Sequence, residues 1–479
     1  LGFPVAFSLG ACGLFFGLLG IELNVFPASI IAWLPQRLLG IMANDTLLAV
    51  PFFTFMGLVL ERSGMAEDLL DTVGQVFGPM RGGLALAVIF VGALLAATTG
   101  VVAASVIAMG LISLPIMQRF GYDQRIATGT IVASGTLAQI IPPSLVLIVL
   151  ADQLGVSVGD MYLGAVGPSI LQITLFTLFI LAVSIFQPHK VPPLPAEART
   201  LRGWALVSKA LWGMVPSLVL IFLVLGTIFL GLATPTEAGA MGVVGAILLA
   251  LLHGRFSAHL LWQAMFSTAR LTAMVVFILV GATVFSLVFQ GVNGGRWIEH
   301  LLSSMPGGVI GFLIFVNIFV FLIAFFLDFF EIVFIIVPLL APAADALGID
   351  LIWFGVILGV NMQTSFMHPP FGFSLFFLRS VAPKVPYKDK VTGLMMEPVR
   401  TGQIYWGAVP FVVIQIVMVG MVMAFPGMVM HYKGPAIDTS NVEVSFPAGN
   451  LGGGLGGLGG LGGTPFGAPA APGAAPGAA

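Results

Sequence analysis

The sequence predicts an all-α polytopic membrane protein built from two inverted repeats, and three observations carry that prediction. Of the 479 residues, 58% are hydrophobic and only 8% are charged, where a soluble domain carries roughly 25% charge. Pro-Pro pairs recur at Pro142-Pro143 and Pro369-Pro370, 227 residues apart. Each pair follows a long, charge-poor stretch with polar residues at its middle. A surface this apolar would not stay hydrated, which excludes an ordinary soluble domain. About ten segments of roughly 20 apolar residues, the length that crosses a bilayer, fit within the chain. A formal net charge of -2 gives no reason to expect a nucleic-acid partner. The single cysteine, Cys12, excludes intramolecular disulfides and multi-cysteine metal sites.

Taken in order, the elements begin with an apolar run from Phe3 to Leu19, which lacks a charged leader and a small-residue cleavage site and so reads as a membrane helix. Residues 25–42, with Pro27, Pro35 and Arg37, make the weakest span. Residues 83–118 carry no charge and are bounded by Arg81 and Arg119, with Thr98-Thr99-Gly100 at their middle. They read as one long helix or as two short helices joined at that polar tip. The re-entrant hairpin is the expectation, with its basic mouth (Arg81, Arg119, Arg125) inside. A first broken helix, about 123–152, contains Pro142-Pro143.

The internal repeat is arithmetical. Pro115 and Pro342, Gly121 and Gly348, Asp123 and Asp350, Pro142 and Pro369, and Pro143 and Pro370 are each 227 apart. Gly159 to Val166 resembles Gly402 to Val409 at an offset of 243, the extra residues falling in a longer loop near 383–398. The repeats are therefore residues 1–187 and 210–430, joined by a proline-rich linker, 188–209. The second copy holds a hairpin at about 307–347, with Asp328 and Glu331 near its middle, and a broken helix at about 350–382. Lys190, Arg199, Arg202 and Lys209 place the linker inside. The loop with Arg379, Lys384, Lys388, Lys390 and Arg400 is basic, whereas its counterpart at 151–160 has two Asp and no Lys or Arg. Equivalent loops of opposite charge character imply opposite sides, hence inversion, an architecture of many secondary transporters. The second hairpin then opens outside, and both termini lie outside. Residues 431–479 pass into a Gly/Ala/Pro tail expected to be disordered.

Two consecutive prolines remove two N–H donors and break a helix. The break frees carbonyls able to face a cation and amides able to face an anion, and such backbone is tolerated at depth only when it lines a cavity or packs in protein. Na⁺ suits the hard oxygens on offer. One ion is expected between Thr98, Thr99, Gly100 and Ser134, Gly135, Thr136, and a second between Asp328 and Asn361, Gln363, Thr364. An organic acid is expected against the half-helix starts at Pro143, Ser144, Pro370 and Phe371, within reach of Thr99 and Asp328. Plainer readings stand beside these. The prolines alone would kink a helix, Thr98 and Thr99 can bond back to their own helix, and Glu331 can partner Asp328 or face a cavity. A mid-membrane Asp328 costs at least about 2.5–3.5 kcal/mol on insertion scales, which favours a role as ion ligand, substrate contact or protonatable group. No resident cofactor is expected. An embedded enzyme is disfavoured, because the six His are scattered and none pairs with Ser or Asp at helix spacing.

The sequence resembles the large membrane subunit of the tripartite ATP-independent periplasmic (TRAP) transporters, the DctM family. The resemblance rests on Gly2-Phe3-Pro4-Val5-Ala6, Pro51-Phe52-Phe53 with Gly57, Thr99-Gly100, Gly121-Tyr122-Asp123, Ile140-Ile141-Pro142-Pro143-Ser144, Asp328, Gly348-Ile349-Asp350 and Pro369-Pro370-Phe371-Gly372. It implies an Na⁺-coupled importer of organic acids in the bacterial inner membrane. In such an importer an elevator domain of hairpins and broken helices slides against a fixed scaffold. It also implies two partners besides the lipid bilayer: a small four-helix membrane subunit and a periplasmic substrate-binding protein. A standalone Na⁺- or H⁺-coupled anion carrier is the alternative. Thr98-Thr99-Gly100-Val101-Val102, Phe329 and Gln363-Thr364-Ser365 depart from the family's usual pattern and resemble a subgroup of mannitol/chloroaromatic or 2-oxo-acid type.

Overall fold

The computed structural model describes residues 3–199, 203–369, 372–389 and 391–433. Of the tail expected to be disordered, 431–479, residues 431–433 are described, with Lys433 bonded to Asp350, while residues 434–479 and the substrate candidates Pro370 and Phe371 lie outside the described residues. Among those described, eight helices are long and apolar enough to cross a membrane, or up to ten if each of two bent pairs is one span. The chain is an all-α polytopic membrane protein, as its composition predicts. Among the described residues the strands are a single two-stranded ribbon, Tyr387–Lys388 with Met395–Met396.

Helices dominate because only internally bonded backbone is stable in lipid. Several of their starts are written in the sequence as oxygen-bearing caps, which accept from otherwise unpaired N–H groups. Asn44 caps Asp45–Arg62, Asp123 caps Gln124–Thr136, and Asp350 caps Leu351–Met367. Thr234 and Glu237 form a capping box on Pro235–Leu252. The weak span at 25–42 is not one membrane helix. It is two short helices, Ser29–Ala32 and Leu34–Met42, the second bent by 45° against Asp45–Arg62. Pro27 and Pro35 account for the fragmentation.

Residues 83–119 form two helices, Gly83–Thr99 and Val102–Arg119, turning at Gly100. In the second copy Gly308–Ile323 is followed by Phe329–Glu331, a π-wound turn Ile332–Ile336 and Val337–Ala346. Each hairpin is preceded by an amphipathic helix that hydropathy alone misses, Met65–Phe77 and Gly294–Ser303. The long helices Val158–Phe186 and Thr401–Ala424 buttress the broken ones, and rings on them meet where Phe411 packs on Phe176 and Phe179 at 5.2 and 5.0 Å.

The mouth of the first hairpin, the linker and the 383–400 loop converge at one end. The Gly82 and Asp123 N–H groups donate to the Val191 and Lys190 carbonyls, both at 2.9 Å. The linker is thus pinned at Lys190 and Val191, and the next helix, Trp204–Phe229, starts within the 188–209 range that the sequence assigns to the linker. The Arg119 guanidinium grips Asp389 through Nε and Nη2 at 3.0 and 2.8 Å. Arg119, then the Thr392 N–H and hydroxyl, hold the Asp389 carboxyl well below the usual carboxylate range. A lowered carboxylate stabilises the fold above its unfolded pKa of about 4 and loses that contribution only as pH falls toward the folded value. Acidification from neutrality to about pH 5 should therefore leave this loop docked. Asp389→Asn should free it and speed tryptic cleavage at Lys384 and Lys388; cleavage unchanged in the variant would refute the clasp. At the opposite end Asn44 donates to Asp152 at 2.7 Å and Lys433 meets Asp350 at 2.6 Å.

Candidate functional site

The first tip is a sharp reversal that a side chain would block. Gly100 is left-handed (φ 59°), and a Cβ there would lie 2.9 Å from the Pro143 carbonyl oxygen. The tip therefore abuts the first break. The Thr98 and Thr99 hydroxyls both donate to the Leu95 carbonyl at 2.9 Å, and Thr99 also bonds Ser105 at 2.9 Å. The bond back to the helix holds, so both hydrogens point away; Thr98 keeps its oxygen lone pairs, whereas the Thr99 oxygen accepts from the Ser105 hydroxyl and the Val101 N–H.

The first broken helix runs Gln124–Thr136, tightens over Leu137–Gln139, opens at the cis Pro142-Pro143 peptide and resumes at Leu145–Leu154. Two of its freed carbonyls do not face a cation. Ser144 donates to the Gln139 carbonyl at 2.5 Å, and the Ser169 hydroxyl lies between the Ala165 and Ile140 carbonyls at 2.7 and 3.0 Å, its one hydrogen shared between them. Ser144 also caps the second half, accepting from the Val146 and Leu147 N–H groups. Its hydroxyl is spent within the break. The second break repeats this device, with Ser374 donating to the Phe366 carbonyl.

The residues expected to form one shell with the first tip lie at different levels. Pro143 meets Gly100 directly, but Ser134 packs on Gly92 and Gly135 on Val106. Gly92 is seven residues from Thr99, about 10 Å along a helix. Ser134 and Thr136 bond back to Ile131 and Ala133 at 3.0 and 2.9 Å. The helix needs those two turns to climb from Ser134 to the break, so Ser134 and Gly135 stand below the tip.

At the second tip the Asp328 N–H donates to Glu331 Oε2 at 3.1 Å, which makes Glu331 a local partner of Asp328's backbone. The expected companions of Asp328 are not gathered around it. Asn361 turns to Asn317, donating to its carbonyl and side-chain oxygens at 2.8 and 2.9 Å. Thr364 bonds Val360 at 3.2 Å. Asn317, Asn361 and Thr364 line a separate, largely apolar groove of about 380 Å³. Gln363 is fully buried, with neither amide atom partnered among the described residues. Successive residues of a helix point about 100° apart, so Asn361, Gln363 and Thr364 cannot all share one face toward Asp328.

What does converge is a cavity of about 150 Å³. It takes Gly100 and Ala103 from the first hairpin and Gln139 and Leu145 from the first broken helix. Asp328 and Phe330 come from the second hairpin, Phe366 and Phe377 from the second broken helix. Leu271 and Met274 of Ala258–Gly291 close one side. Residues from both tips and both breaks thus line one space, though of the described site candidates that the sequence singles out only Gly100 and Asp328 are on its wall. Sequence reading did not single out Gln139, Phe330, Phe366, Phe377 or the wall from Ala258–Gly291. The 227 offset pairs Gln139 with Phe366 and was the available signal for two of them.

Comparison with known proteins agrees with this architecture. Residues 1–428 match the family described as tripartite ATP-independent periplasmic transporter, DctM component. The chain is 33% identical over 377 residues to the C4-dicarboxylate TRAP transporter large permease protein DctM of Pseudomonas aeruginosa, covering 78% of this chain and 85% of that one. It is 30% identical over 403 residues to the protein of the same description from Vibrio cholerae, covering 80% and 86%. The fold is similar to that of the Alcanivorax borkumensis YdaH transporter, with a TM-score of 0.61 and 17% identity over 88% of this chain and 98% of that one. A matched family sequence over nearly the whole described chain, together with paired hairpins and broken helices around one cavity, identifies this protein as a member of the DctM family, the large permease component of TRAP transporters, a transporter and not an enzyme.

Proposed function

We propose that this chain carries an organic acid anion across the bacterial inner membrane, coupled to Na⁺ entry, by an elevator movement. The observation that supports it best is the central cavity, walled by both tips and both breaks and lined by no Arg, Lys or His. A carboxylate moved into such a space without a counter-charge pays a desolvation cost of several kcal/mol or more. A co-bound cation offsets that cost, and this couples acid to ion. The residues fit Na⁺. Asp328 presents a carboxylate on the cavity wall, and next to Gly100 of that wall stand the Pro143 carbonyl and the Thr98 hydroxyl, whose hydrogen is committed to Leu95, with Thr99 between them already bonded to Ser105. Thr136, Ser134, Gly135 and the Asn361, Gln363, Thr364 group remain secondary candidates for ions held farther down the helices.

The moving part is proposed to comprise the two hairpins, the two broken helices and their buttresses. Asp45–Arg62, Pro235–Leu252 and Ala258–Gly291 belong to the fixed scaffold. The basic end formed by the linker, Arg119 and the 383–400 loop supports a cytoplasmic placement for that face. The family's tripartite description supports a small membrane subunit and a periplasmic binding protein as partners.

The test is uptake of a labelled organic-acid panel into proteoliposomes holding the chain, its small subunit and its binding protein. An inward Na⁺ gradient should drive uptake severalfold above a choline control, and omitting the binding protein should remove it. Uptake indifferent to Na⁺ would overturn the coupling, and full uptake without the binding protein would favour a standalone carrier.

A further inference from the structure

We propose that the central cavity selects a compact monocarboxylate with an apolar body, aryl or branched alkyl, and holds its carboxylate through the Gln139 side-chain amide. The inference rests on reading the chain as an acid carrier and narrows the acid. It begins from broken symmetry. Gln139 and Phe366 are repeat mates, since 139 plus 227 is 366. Each also gives its backbone carbonyl to a serine of the following half, Ser144 five residues on and Ser374 eight residues on. Both line the same cavity. One copy thus places a glutamine where the other places a phenylalanine, and the wall is polar in one copy and apolar in the other.

The polar part of the wall is unsatisfied. Gln139 is fully buried, and neither Nε2 nor Oε1 has a partner among the described residues. An unpaired amide at this depth is costly. A carboxylate accepting from its NH₂ removes that cost. Gln172, Gln363 and Gln415 are also buried and unpaired, but they do not line this cavity. The apolar part is built from Phe329, Phe330, Phe366 and Phe377, with Phe329 and Phe366 centroids 6.1 Å apart. The cavity measures about 150 Å³, a size that accepts one benzene ring when its walls are apolar. Asp328 stands beside Phe329 and Phe330. The second carboxylate of a dicarboxylate would therefore meet rings that cannot hydrogen-bond it and an Asp328 whose own charge already takes up the bound Na⁺. A monocarboxylate avoids both.

The experiment titrates the full chain in lipid nanodiscs with radiolabelled benzoate, 3-methylbutanoate and succinate, in NaCl and in choline chloride. Benzoate and 3-methylbutanoate should bind in NaCl, with succinate at least about tenfold weaker, as expected when a charge is left unpaired in an apolar site. Gln139→Leu should weaken benzoate by roughly tenfold or more, the loss of one hydrogen bond to a charged group. Gln139→Asn should recover part of that loss. Phe366→Gln supplies a second amide and should shift the preference toward succinate, a gain that misfolding does not mimic. Na⁺-dependent binding of succinate equal to or tighter than that of benzoate would overturn this inference while leaving the carrier reading intact. So would Gln139→Leu and Phe366→Gln chains that behave as the parent. Absence of Na⁺-dependent binding for all three acids would overturn the inference together with the reading it rests on.

Discussion

Asp328→Asn abolishes Na⁺-driven uptake and leaves the protein folded in the membrane: this is the largest functional effect the account expects. Asp328 is the carboxylate on the wall of the central cavity, where every other lining side chain is apolar or neutral. Asparagine has nearly the same shape and caps a helix start as well as aspartate does. The turn into Phe329–Glu331 should therefore survive, and the Asp328 N–H bond to Glu331 uses backbone that the substitution does not touch. Only the charge is lost. Removing one partner of a buried ion pair costs about 3–5 kcal/mol, a weakening of roughly a hundredfold or more in cation affinity. The readout is Na⁺-gradient uptake beside the amount of chain inserted. Wild-type uptake by an equally inserted variant would remove Asp328 from the mechanism.

The largest structural effect is expected at a helix crossing below the cavity. Gly129→Ala should destabilise the described core by about 3 kcal/mol, the upper range for overpacking. The first broken helix and Thr401–Ala424 touch backbone to backbone there. A Cβ on Gly129 would collide with the Gly407 carbonyl, and a Cβ on Gly407 with the Arg125 carbonyl. Neither obstacle is the flexible end of a side chain, so the helices must part. Close approach through small residues is how helices gain packing energy in lipid, where the hydrophobic effect offers none. Thermal unfolding in detergent should show a lowered midpoint for Gly129→Ala and for Gly407→Ala, whereas unchanged midpoints would mean the crossing is looser than described.

Much of the fold was legible because local chemistry decides it. Pro142-Pro143 and Pro369-Pro370 break helices wherever they stand, Asp123 and Asp350 cap the helices they precede, and a charge-free run about Thr98-Thr99-Gly100 turns back on itself. The site was legible only as a region. Whether Asn361 meets Asp328 or Asn317 depends on helix rotation, which spacing within one helix does not reveal. The oxygen chemistry groups Ser134 with the tip, yet the hairpin rises beside it for two turns before Gly100 is reached. The clasp of Arg119 on Asp389 joins residues 270 positions apart and has no local signature. Gln139 stood in plain view before the first Pro-Pro pair. Its importance comes from sharing with Phe366 the wall of a cavity that only the folded chain contains.

The central claim is that acid and cation occupy the space enclosed by the two tips and the two breaks. Ala103 lies on that wall, half-buried just past the first tip, and the chain's single cysteine, Cys12, can be removed as Cys12→Ser. The direct measurement is the rate at which a small methanethiosulfonate labels the Cys12→Ser, Ala103→Cys chain in nanodiscs. Labelling slowed severalfold by Na⁺ and benzoate together, and little by either alone, is the predicted result. A rate that neither Na⁺ nor any acid of the panel alters would contradict the account.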